Sequence, residues 1–156
     1  MEETFFNERD LSAEDVQRWL EGELVRLRLE ADDLVRAYFR EGRERSFSQK
    51  VWPRLKDYTD RMFYVTWSRR EYINPQRGVV RTQHIKRGQG SYRRRLSQIC
   101  RSLEIEERDF VLSYEDRFHQ IRQQVELLVQ MQGSLNKYCL GKEAPKNIYL
   151  GPEIVD

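Results

Sequence analysis

The chain has 156 residues, 38% hydrophobic and 35% charged, enough for one domain with a real core but polar for a globule, as elongated helical proteins are. It contains no run of about 18 apolar residues, so a membrane-spanning helix is excluded, and its acidic start lacks the basic-then-apolar order of a secretory signal. The net charge of +2 hides three blocks: −7 over residues 1–35, +13 over 36–101 and −4 over 102–156.

The first element is a helix over about 13–41. Ser12 and Asp15 form a capping-box pattern, with Asp in place of the usual Glu or Gln. Val16, Leu20, Leu24, Leu27, Ala31, Leu34 and Tyr38 then recur at helical spacing, and Gly42 supplies a stop.

A second helix is expected over about 48–73, with Pro53 in its first turn. Val51, Leu55, Tyr58, Thr59, Met62, Thr66 and Ile73 share a broad face, while Tyr64 and Trp67 lie elsewhere on the wheel. A helix apolar nearly all round is central in a bundle or faces a partner on its second side.

Residues 74–91 carry Asn74-Pro75 and three glycines and cannot make a good helix. They read as a loop, with a short β-ribbon from Val79 to Ile85 inside it. Helices over about 92–103 and 107–140 follow. The seam through Val111, Tyr114, Phe118, Ile121, Val125 and Leu128 would reach Glu107 and Glu104 if extended backwards, so the phase breaks there. Glu104, Glu106, Glu107 and Asp109 are expected at a solvated turn. Residues 141–156 read as an extended tail with apolar Ile148, Tyr149 and Leu150. The expected fold is all-α: an elongated antiparallel bundle of about four helices, one domain over 1–140, with a basic loop and a tail.

Chemistry-bearing motifs are sparse. His84 and His119 have no Ser, Cys or acid at a spacing that implies a nucleophile and base. Arg77 and His84 match a spacing seen in some helical RNases, but in a loop-like segment of an Arg-rich chain. There is no HExxH or CxxC, and Gly88-Gln89-Gly90 lacks the strand and the Lys-Ser/Thr pair of a nucleotide loop. No cofactor and no catalytic residue is therefore assigned, and an enzyme is not expected. Cys100 and Cys139 have no partner spacing and suit reduced thiols in the cytoplasm.

The charge distribution remains. Residues 69–101 hold ten Arg or Lys and one acid, Glu71. Arg offers a planar fork for phosphate or carboxylate. Arg69, Arg70, Arg77, Arg81, Lys86, Arg87, Arg93, Arg94 and Arg95 bracket the Gly-containing loop, with Trp67, Tyr72 and Tyr92 placed to stack on bases and the helix start after Ser91 offering N–H donors. Arg93 to Arg95 point about 100° apart, so at most two serve one strand. The expected function is a non-enzymatic subunit of a nucleoprotein complex that grips the phosphate backbone of RNA or single-stranded DNA without reading sequence. The competing explanation is that these arginines pair with the chain's own acidic arms. The alternative function is a helical scaffold or adaptor that self-assembles or docks on other protein subunits, with Tyr64, Trp67, Ile148, Tyr149 and Leu150 at the interface.

Overall fold

The computed structural model describes residues 12–59, 62–88 and 90–142. In chain order they form helix α1 (Ala13–Glu44), strands β1 (Val51–Asp57), β2 (Phe63–Asn74) and β3 (Val79–His84), a short helix α2 (Arg93–Ile99) and a long helix α3 (Ile105–Lys142). The three strands make one antiparallel sheet in the order β1-β2-β3. The protein is therefore not the expected all-α bundle of about four helices; it is three helices and a sheet. The expected tail residues Ile148, Tyr149 and Leu150 lie outside the described residues.

Helix α1 forms as its sequence dictates. The Ser12 hydroxyl accepts the Asp15 amide at 3.2 Å, and the Asp15 carboxylate accepts the Ser12 amide at 3.3 Å. Two orphan donors of the first turn are thereby satisfied. Leu20, Leu27, Ala31, Leu34 and Tyr38 bury one stripe. Gly42 does not stop the helix, which runs two residues further. Its missing side chain instead admits Gln49: a Cβ there would sit 2.5 Å from the Gln49 Nε2, which donates to the Phe39 carbonyl.

The segment 48–73, expected as a helix, is the β1–β2 hairpin. Val51 and Pro53 are buried on one strand, and Phe63, Val65 and Trp67 on the next, two residues apart, so the true period is 2 rather than 3.6. Register pairs Val51 with Arg69, Pro53 with Trp67 and Leu55 with Val65. Pro53 is tolerated because β1 is an edge strand. The ring of apolar residues around the supposed helix reflects a sheet with aromatic side chains on both faces. The expected ribbon over Val79 to Ile85 is present as β3, which pairs with β2 and shifts register between Tyr72 and Asn74.

The core gathers under the inner face of the sheet. Tyr38 is at its centre, with Trp67, Phe110 and Tyr114 at centroid distances of 5.5, 5.0 and 5.3 Å. Its hydroxyl donates to the Val51 carbonyl at 2.6 Å, joining the C-terminal turns of α1 to β1. The expected break near 104–108 is real, but α3 begins at Ile105. Glu107 is not in a solvated turn. It is buried, and its carboxylate accepts the Ser48 hydroxyl at 2.9 Å and the Gln49 amide at 3.1 Å. At the same junction the Arg108 guanidinium donates to the carbonyls of Cys100, Arg101 and Leu103. It thereby satisfies acceptors that the end of the short helix leaves open.

Candidate nucleic-acid interface

The basic segment is built around one buried carboxylate. Glu115 on α3 is fully enclosed. One of its oxygens accepts the Trp67 indole N–H at 2.9 Å and Arg122 at 2.8 Å; the other accepts the Ser91 hydroxyl at 2.7 Å, the Tyr92 amide at 2.9 Å and Arg122 at 3.0 Å. Arg122 also donates to the Val65 carbonyl at 3.0 Å and lies 4.7 Å from the centre of the Tyr92 ring. Buried charges are tolerated when paired and fully hydrogen-bonded, as here. The network ties β2, the turn before α2, and α3 together, and so fixes where α2 points.

This network corrects three sequence expectations. Trp67 is fully buried and presents no ring to a base or a protein partner. Tyr92 is buried beneath Arg122, so it is not placed to stack on a base. The Tyr92 amide, expected to offer its N–H to a phosphate, is already bound to Glu115, as is the Ser91 hydroxyl. Glu115 and Arg122 themselves were not singled out from sequence. The available signal was a Glu beside the apolar seam with an Arg two turns later.

The cationic residues divide into paired and unpaired sets. Arg81 binds Glu71 at 2.6 Å, Arg93 binds Asp116 at 2.8 Å and Arg69 donates to Gln83 at 2.7 Å. Arg70, Arg77, Lys86, Arg87, Arg94 and Arg95 are exposed, and no carboxylate among the described residues lies within ion-pair reach of them. Among the described residues α1 does not neutralise them: Glu23, Glu30 and Asp32 pair with Arg26 and Arg36 of the same helix.

On α2 and the turn after it, Leu96 and Cys100 face the core, while Arg94, Ser97, Gln98 and Arg101 recur at positions 0, 3, 4 and 7 on the outer side. With Ser91 and Arg93 they line an open cleft of about 530 Å³. Arg93 is turned to Asp116, so Arg94 and Arg101 are the cations free to serve one bound anion chain. Arg101 belongs to this group although sequence spacing alone did not mark it. Tyr64 is partly exposed on β2, with its ring 5.8 Å from that of Tyr58.

Ser68 and His84 come together across β2 and β3, Oγ to Nδ1 at 3.4 Å. Ser68 is fully buried, so this contact cannot present a nucleophile to a substrate. Among the described residues no group of three or more His, Cys, Asp or Glu could hold a metal ion, and no helix is long and apolar enough to cross a membrane.

A model of the MobI family, described as MobI protein, matches residues 27–136. The chain belongs to the MobI family. The matched span runs from the middle of α1 through the whole sheet and α2 into the last turns of α3. The MobI match therefore covers the buried Glu115 network and every cation of the cleft. No curated protein and no solved structure matches the chain.

Proposed function

We propose that this MobI-family protein is a non-enzymatic subunit of a larger nucleoprotein complex in the cytoplasm, and that it holds the phosphate backbone of a nucleic acid without reading its sequence. The observation that carries the reading is the α2 cleft, where Arg94 and Arg101 stand on one outward face without a carboxylate partner among the described residues. Exposed ion pairs contribute at most about 1 kcal/mol each, so folding alone gives little reason to concentrate cations here. Each phosphate neutralised by such a cation releases condensed counterions, which gives a salt-sensitive affinity. Lys86 and Arg87, a few residues before the cleft in sequence, are exposed cations as well.

The test is titration of a labelled random single strand at two salt concentrations. Micromolar or tighter binding that weakens with salt, and weakens again in the double variant Arg94→Gln/Arg101→Gln, is the expected result. Absence of binding at low salt would sink the proposal.

A second reading, a scaffold that assembles with protein subunits, is favoured by one observation. Leu127, Met131 and Tyr138 are exposed on the side of α3 away from the core stripe of Ile121, Val125 and Leu128. Light scattering over a concentration series checks it: a strict monomer at all concentrations counts against self-assembly.

A further inference from the structure

The outer face of the sheet differs from the α2 cleft in chemistry. Strand register places Trp52, Arg54 and Lys56 of β1, Tyr64, Thr66, Ser68, Arg70 and Tyr72 of β2, and Val80, Thr82 and His84 of β3 on this face. Among the described residues of the strands it contains no acidic residue. Both acids of the strands, Asp57 and Glu71, fall on the other face, where each is already bound to an arginine, Arg28 and Arg81. Arg54, Lys56 and Arg70 are exposed and none has an ion-pair partner among the described residues.

Aromatic rings are interleaved with these cations. Tyr72 is 56% exposed and Tyr64 37% exposed. A solvent-facing side of an antiparallel sheet is ordinarily polar with mixed charge. On this one the formal charges among the described residues are all positive, with Thr66, Val80 and Thr82 beside the rings and Ser68 buried at its middle. Tyr64 and Tyr72 are eight residues apart on one strand, which at about 3.3 Å per residue separates them by about 26 Å. One base cannot bridge that distance, but an extended strand of several nucleotides can.

We infer that the outer sheet face is a stacking platform for single-stranded nucleic acid, with bases on Tyr64 and Tyr72 and phosphates on Arg54, Lys56 and Arg70. The inference rests on the nucleic-acid reading above and adds the strand state and a second surface to it. Rings that stand on an open face meet the faces of unpaired bases; in a duplex those faces are hidden by stacking. Every base has such a face, so the platform tolerates any sequence. The absence of carboxylates is the electrostatic counterpart, because a polyanion laid along the sheet meets no like charge.

The experiment uses the full chain and fluorescence anisotropy with a labelled twelve-nucleotide oligo-dT and a blunt duplex of equal length. Tyr64→Ala and Tyr72→Ala are each expected to weaken oligo-dT binding about five-fold or more and to leave duplex binding unchanged. Arg54→Gln/Lys56→Gln is expected to lower the slope of log K against log salt by about 1.4 for the single strand. All four positions are solvent-facing, and an unchanged circular dichroism spectrum confirms that the variants fold. Oligo-dT binding equal to the parent's in both tyrosine variants overturns the platform. If the Arg94→Gln/Arg101→Gln variant alone loses binding, the cleft reading stands and this inference fails. If the parent binds neither probe, both readings fail. Tyrosine variants that abolish self-association in light scattering without altering oligo-dT binding identify the face as a protein interface and also overturn the platform.

Discussion

The two faces of the sheet are made from the same three strands and treat charge in opposite ways. On the inner face each acid has a partner: Asp57 takes two hydrogen bonds from Arg28, and Glu71 one from Arg81. Beneath it, Glu115 and Arg122 satisfy each other and three further donors. Among the described residues the outer face has cations and rings and no acid. Charge on one side is consumed in building the fold, and charge on the other is left over. Unspent charge marks a surface more reliably than the total number of arginines does.

The inner side should break most severely. Glu115→Ala leaves the Arg122 guanidinium buried without its carboxylate, and a loss of about 3–5 kcal/mol in chemical denaturation is expected. A loss below about 1 kcal/mol would show that the network does not organise the fold. Tyr38→Phe removes only a hydroxyl and leaves the Val51 carbonyl without this donor, so about 1 kcal/mol is expected from the same measurement. On the outer face, Arg54→Ala should change stability by no more than about 0.5 kcal/mol. A larger effect there would erase the contrast between the faces.

Thiol chemistry gives the mildest probe. Burial, and then the neighbouring Glu107 charge, push the Cys100 thiol up to about 11. The thiolate is the reactive form. At pH 8, three units below that value, Cys100 stays protonated and enclosed and should resist a disulfide reagent. The half-buried Cys139 should react first. Raising the pH toward 11 increases the thiolate fraction of Cys100 and should narrow the gap between the two rates. Equal rates at pH 8 in the native protein would mean that the core under α2 opens readily.

Helix α1 was legible in its start and its buried stripe, though not in its end past Gly42, because a capping box and a long 3–4 spacing are local signals. The β1–β2 hairpin was not. Val51, Leu55, Tyr58 and Met62 fall on one side of a helical wheel, yet Val51-Pro53 and Phe63-Val65-Trp67 alternate. Both patterns fit a short apolar run, and a turn through Tyr58 and Thr59 lacks the Asn-Gly or Asp-Gly pair that would have decided it. The basic segment was legible as composition, but its organisation was not. Glu115 reaches Trp67 and Ser91, which lie 48 and 24 residues away, and no spacing rule connects them. Burial of Tyr92 and Trp67 follows from that long-range network. Arg101 was missed because it is isolated in the sequence and joins Arg94 only through the turn that continues α2.

The Arg108 guanidinium, with its three carbonyl contacts, bears on mechanics. A linker of so few residues between two helices would ordinarily act as a hinge, and a ligand held on α2 would swing with it. Spanning the carbonyls of Cys100, Arg101 and Leu103 turns that hinge into a rigid elbow. Motion of α2 relative to α3 is then resisted at the joint.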